Sequence, residues 1–128
     1  MERRIISSDS APAAVGPYSQ AVVAGGFVFT AGQIPLNPST GALEQDDIKA
    51  ATRRVLANLD AVLRAAGSSL ERAVKLTVFM TDLGLFSSMN EVYSEFFPAG
   101  PPARSAVQVA ALPKGAFIEM EAVALAGE

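Results

Sequence analysis

The 128-residue chain has no cysteine, no histidine and no tryptophan. Without cysteine there are no disulfides, no thiolate metal sites and no thiol nucleophiles. Without histidine, every Ser-His-Asp or Cys-His arrangement is excluded within one chain type. Chemistry must then come from carboxylates, Arg, Lys, Tyr, hydroxyls, backbone amides and water. Charge is also scarce: 18% of residues are charged and 50% are hydrophobic, against about 25% charged in an average soluble domain. Such a surface means either a loosely built chain or apolar area covered by another copy of it. No stretch approaches the ~20 apolar residues of a membrane span. Ile5-Ile6 is followed at once by Ser7-Ser8-Asp9, too short for the apolar segment of a secretory signal, so the expected location is the cytoplasm. The net charge of −3 gives no general attraction to phosphate backbones, and Arg3-Arg4 and Arg53-Arg54 do not make a basic stripe.

Length fits one domain, since single cores are typically built from roughly 100–200 residues, and no repeat or low-complexity tract interrupts residues 1–128. Residues 18–23 and 27–31 read as strands around Ala24-Gly25-Gly26, where a Gly-Gly pair supplies the positive φ of a tight hairpin. Ile34-Pro35-Leu36-Asn37-Pro38 is a loop, because its prolines cannot sit in a central strand. Ile48, Ala51, Val55, Leu59, Val62 and Ala66 then recur at spacings of 3 and 4, one helical stripe. Asp46 and Asp47 favour its start, and Gly67 suits a left-handed cap at its end.

An apolar run over residues 73–80 reads as a strand covered on both faces. A second helix starts near Asp82, carries Leu85, Phe86, Met89, Val92, Tyr93 and Phe96, and stops at Pro98. Residues 103–110 and 117–125, joined by Leu112-Pro113-Lys114-Gly115, read as a second β-hairpin. The order β-β-α-β-α-β-β predicts an α+β fold, a mixed β-sheet with two helices packed on one face. The other sheet face also carries apolar side chains and calls for a partner surface.

Three neighbourhoods hold residues suited to chemistry. In Pro101-Pro102-Ala103-Arg104-Ser105, alternation puts Arg104, Ala106 and Gln108 on one strand face. An Arg among small apolar neighbours either pairs with an internal carboxylate or recognises an anionic ligand through its planar fork. Glu119 and Glu121 share a face opposite Ile118 and Met120, as acid/base groups or as solvated strand residues. Gly16-Pro17-Tyr18-Ser19-Gln20 and Thr30-Ala31-Gly32-Gln33 read either as turns or as backbone and hydroxyl groups lining a polar pocket. A nucleotide-binding glycine motif is absent, and a metal reading lacks an acidic loop motif. A turn at Pro113-Lys114-Gly115 sets Glu119 opposite Gln108, four residues and about 13 Å from Arg104.

Taken together, these segments resemble the RidA/YjgF family of reactive-intermediate deaminases. The resemblance runs from Ala11-Pro12-Ala13-Ala14-Val15-Gly16-Pro17-Tyr18-Ser19-Gln20 through Gly32-Gln33-Ile34-Pro35, Val78-Phe79-Met80-Thr81-Asp82-Leu83 and Asn90-Glu91-Val92-Tyr93-Ser94-Glu95-Phe96-Phe97. Its most specific part is Pro102-Ala103-Arg104-Ser105-Ala106-Val107, then Leu112-Pro113-Lys114 and Ile118-Glu119-Met120-Glu121. The resemblance implies a chorismate-mutase-like fold in a homotrimer, with ligand sites at the subunit clefts and no metal or organic cofactor. It implies hydrolysis of 2-imino acids such as 2-iminopropanoate and 2-iminobutanoate, released as enamines by pyridoxal-phosphate-dependent dehydratases, to 2-oxo acids and ammonia. Arg104 matches the substrate-carboxylate clamp, Glu119 the group that positions or activates water, and Tyr18, Gly32 and Asn90 pocket residues. Ala31 and Ala106 depart from the Ser and Cys of many members, which excludes a Cys-dependent mechanism while leaving a backbone N–H at Ala106. The shorter segment over residues 97–101 lacks a His often found there. The alternatives are a non-catalytic 2-oxo-acid-binding or regulatory module and an endoribonuclease or translation inhibitor, the latter opposed by the acidic balance and the absence of His.

Overall fold

The computed structural model describes residues 2–127. Its elements are β1 (Arg4–Ile6), β2 (Ala21–Ala24), β3 (Phe27–Thr30), α1 (Ile48–Ala65), β4 (Ala73–Met80), α2 (Phe86–Phe96), β5 (Ala103–Gln108) and β6 (Ile118–Leu125). The six strands form one mixed sheet in the order β1-β2-β3-β6-β4-β5, in which only β4 and β5 run parallel. Both helices pack on one face of the sheet, the α+β arrangement that the pattern predicts.

Local signals explain the first hairpin and both ends of α1. Gly25 and Gly26 have φ of 59° and 85°, the doubly positive pair of a turn whose twist matches its strands. The strand before it starts at Ala21 rather than residue 18. Asp47 caps α1 by accepting from the Ala50 N–H at 2.8 Å. At the far end, the Gly67 N–H donates to the Arg64 carbonyl and the Ser68 N–H to the Leu63 carbonyl, a Schellman cap with Gly67 at φ 78°. Between the caps, Val55, Leu56, Leu59, Val62 and Leu63 are fully buried, each contributing about 1.5–3 kcal/mol relative to exposure.

The C-terminal half differs from the expectation. Residues 103–110 and 117–125 do not form a hairpin. β5 instead pairs parallel to β4 at the sheet edge, and β6 inserts antiparallel between β3 and β4. The reason is burial: Ile118, Met120, Ala122 and Ala124 are all core residues, and only a central strand lying under the helices covers that whole row. The α2 crossover supplies the length a parallel β4–β5 connection requires. Asp82 caps a short 3-10 turn over Leu83–Leu85, and α2 itself begins at Phe86.

β4 has Leu76, Val78 and Met80 fully buried against the helices, while Lys75, Thr77 and Phe79 on its other face are only half-buried. Ile5, Phe27, Phe29, Val107 and Leu125 are exposed large apolar side chains; strand alternation and register set them on this open face with Phe79. Full coverage of β4 is therefore not achieved by one chain.

Candidate active site

Glu119 is positioned by β6. Its backbone pairs with Phe79, so its side chain leaves the open face of the sheet. Beside it, Gln33 and Met120 exchange backbone hydrogen bonds of 2.8 and 3.1 Å, which draws the Ala31-Gly32-Gln33 segment against β6. The approach is close enough to require glycine: a Cβ on Gly32 would lie 1.8 Å from Glu119 Oε2. Tyr18, Ala31, Gly32, Lys114 and Glu119 line one cavity of about 560 Å³, walled by apolar side chains that include Val15 and Ile34. Burial pushes the Glu119 carboxyl above the usual carboxylate range, and the nearby Glu121 charge adds to the effect. Ala31 spends its N–H on the Gln20 carbonyl at 2.8 Å. Lys114, at φ 58°, is the non-glycine residue held in the left-handed region beside this cavity.

Arg104 belongs to a different cavity. It pairs with the fully buried Leu76, which points it to the helix side of the edge strand. Its Nη1 donates to Asn90 Oδ1 at 2.7 Å, and its Cζ lies 4.5 Å from the Tyr93 ring centroid and 5.2 Å from that of Phe86. The cavity around it, about 350 Å³, is lined by Asn90, Tyr93, Ser94, Phe97, Pro101 and Pro102 besides Arg104. Among the described residues no carboxylate lies within salt-bridge distance of Arg104, so the internal ion pair that composition left open is not made. Ala106 pairs with Val78, packs half-buried against the core and lines neither cavity.

One chain thus holds these residues in two separate cavities rather than in one. Tyr18, Ala31, Gly32 and Glu119 share a cavity; Asn90 and Arg104 share another. Arg104 and Glu119 lie on strands flanking β4 on either side, about 9–10 Å apart across the sheet and three register steps, about 10 Å, along it. They also emerge from opposite faces. The separation expected from a hairpin is found, but for a different reason: the two strands are not neighbours at all. The aromatic walls at Arg104 were legible only as helical core, yet Phe86, Asn90 and Tyr93 at spacings of 4 and 3 do mark one face of α2. Lys114 carried no signal beyond its turn.

Two helices packed on one face of a mixed six-stranded sheet make an α+β fold shared with proteins of known structure. A profile described as endoribonuclease L-PSP matches residues 8–126. A RutC family protein of Pyrococcus abyssi is 52% identical over 124 residues, covering 97% of this chain and 98% of its own. Human 2-iminobutanoate/2-iminopropanoate deaminase is 45% identical over 125 residues, covering 98% of this chain and 91% of its own. The crystal structure of E. coli TdcF with bound serine superposes with a TM-score of 0.91 at 47% identity, covering 95% of this chain and 98% of that one. The chain belongs to the YjgF/RidA family.

Proposed function

We propose that this protein hydrolyses reactive 2-imino acids, 2-iminopropanoate and 2-iminobutanoate among them, to 2-oxo acids and ammonia. The observation that carries the reading is Arg104: a half-buried guanidinium held by a neutral amide and two aromatic rings, in a chain 45% identical to a protein named for that deamination. A guanidinium without a carboxylate of its own is ready for an anionic one, and its planar fork fits a substrate carboxylate in two hydrogen bonds. TdcF, a relative of known structure, holds serine, which also carries an α-carboxylate.

Completion of the site requires a second copy. The apolar open face, with Phe29 and Val107 exposed, is covered by neighbouring copies in a homotrimer, where Arg104 of one subunit faces the Glu119 cavity of another. Arg104 holds the carboxylate and withdraws electrons from the adjacent imine carbon. Glu119 takes a proton from a water, whose oxygen bonds to that carbon. The tetrahedral adduct then collapses: Glu119 passes that proton to nitrogen, takes the adduct's hydroxyl proton and relays it to nitrogen as well, and the C–N bond breaks as C=O forms, so that both hydrogens of the water leave in ammonia. A carboxyl with a raised pKa holds the proton more readily between the two transfers. Tyr18, Ala31, Gly32 and Asn90 border the ligand. No metal or organic cofactor enters this scheme.

The test follows pyruvate release from aminoacrylate generated by a serine dehydratase. Acceleration by the purified protein, lost in Arg104→Ala, supports the reading; an unaccelerated rate overturns it. Saturable pyruvate binding without turnover would instead favour the binding-module alternative. RNA cleavage has little support in the charge distribution. Lys49, Arg53 and Arg54 on α1 are engaged by Glu91, Glu95 and Glu44, which leaves this stretch no free basic stripe.

A further inference from the structure

We propose that Tyr93 is a positioning residue for the anion clamp, its buried ring face fixing the plane and direction of the Arg104 guanidinium. The inference rests on the proposed role of Arg104 for its catalytic consequence, though the cradle itself is a matter of geometry. Arg104 reaches α2 from an edge strand, where a long side chain would otherwise sample many rotamers. Three residues on one face of α2 stop it: Asn90 accepts from Nη1, Phe86 stands 5.2 Å from Cζ, and Tyr93 is nearest at 4.5 Å. Tyr93 is itself immobilised. It is 5% exposed, and its ring meets that of Phe97 at a centroid distance of 4.6 Å and 37° between planes. Arg104 thus rests on a ring that is itself packed against Phe97 and anchored in the core.

The Tyr93 hydroxyl is buried and, among the described residues, makes no hydrogen bond. Burial raises the Tyr93 pKa, with the Arg104 charge opposing, so the phenol stays neutral around pH 7. Its attraction for Arg104 is that of a ring quadrupole for a cation. That interaction is strongest with the guanidinium over the ring, and it leaves the hydrogen-bonding edge of the fork in plane and available to a carboxylate. A core residue that merely filled space would have no effect on that orientation.

The experiment compares wild type, Tyr93→Phe and Tyr93→Leu in three measurements: thermal unfolding, 2-oxobutanoate binding by calorimetry alongside imine turnover, and the Arg104 Nε–H NMR signal without ligand. Tyr93→Phe keeps the ring and is expected to match wild type within about twofold. Tyr93→Leu is expected to weaken 2-oxobutanoate binding and raise KM roughly 5- to 30-fold, with kcat little changed. In wild type and Tyr93→Phe the Arg104 signal should be displaced by the ring current, and in Tyr93→Leu it should return toward a free-arginine position. A folded Tyr93→Leu that binds as wild type overturns the proposal, as does a Tyr93→Phe that loses as much as Tyr93→Leu. If Tyr93→Leu does not fold, Tyr93→Met replaces it and the wild-type signal decides alone: an undisplaced Arg104 resonance overturns the cradle. Wild type that neither binds nor turns over these acids, yet shows the displaced signal, refutes the proposed activity and leaves the cradle standing.

Discussion

Replacing Gly32 by alanine separates the two demands placed on that position, backbone conformation and room for a carboxylate. Gly32 does not lie in the left-handed region, so alanine meets no backbone penalty there. The new Cβ would lie 1.8, 2.7 and 3.1 Å from Oε2, Cδ and Cγ of Glu119. Every close atom belongs to one side chain whose end lines an open cavity. For Oε2 to reach ordinary contact at 3.4 Å it must retreat by about 1.6 Å, leaving the position from which the proposed scheme has Glu119 take a proton from water. A misplacement of about 1 Å at a reacting group costs on the order of 100-fold. Stability responds differently. The alanine gains about 0.4–1 kcal/mol by restricting the unfolded chain, against about 0.5–1.5 kcal/mol for an off-rotamer glutamate. The melting temperature should therefore move by no more than about 4 °C, while kcat/KM for 2-iminopropanoate falls about 100-fold. In a Glu119→Gln background the same change should cost little more. Unchanged kcat/KM in Gly32→Ala, or full additivity with Glu119→Gln, would refute the reasoning.

Further outcomes follow from the same geometry. Arg104→Ala should lower kcat/KM about 10- to 150-fold, the loss of a charge-assisted carboxylate contact, and Arg104→Lys should recover little because the fork is gone. In the proposed scheme Glu119 acts ionised, and its pKa is raised, so kcat/KM should rise with pH through a value above the ordinary carboxylate range, and Glu121→Gln should move that limb down. A raised pKa in the folded state favours the protonated carboxyl. Its stabilising contribution is present below the unfolded carboxylate pKa and is lost as pH rises through the folded value. Glu119→Gln should therefore raise the melting temperature near pH 7 and leave it unchanged near pH 3, about a unit below the carboxylate reference. Gly67→Ala should destabilise by about 1–2 kcal/mol in denaturant titration, since it forces a Cβ into the left-handed cap of α1.

Features encoded within a few residues were legible before the fold was known. Gly25-Gly26 announced its turn, Asp47 and Gly67 bounded α1, and the run from Ala73 to Met80 is β4 at both ends. Strand alternation correctly separated Arg104 from Ser105 and Glu119 from Ile118. What alternation reports is the face of a strand, never its neighbour. Leu112-Pro113-Lys114-Gly115 carries ordinary turn chemistry, and it does make a tight turn, but the chain leaving it enters the middle of the sheet. That choice is made by core rows far apart in sequence, Ile118 to Ala124 beneath α1, and by the crossover through α2. Lys114 and the Tyr93 ring were hidden for the same reason: a turn residue and a helix-core aromatic have no local mark of what they face.

The central claim is that the Arg104 and Glu119 half-sites act together only across two chains. Arg104→Ala and Glu119→Gln are each prepared, shown to retain well under a quarter of wild-type activity toward 2-iminopropanoate, then mixed, allowed to exchange subunits and assayed for pyruvate release. Random assembly pairs an intact Arg104 with an intact Glu119 at roughly a quarter of interfaces, so activity should return to about that share of wild type. A mixture as inactive as its two components would contradict the account.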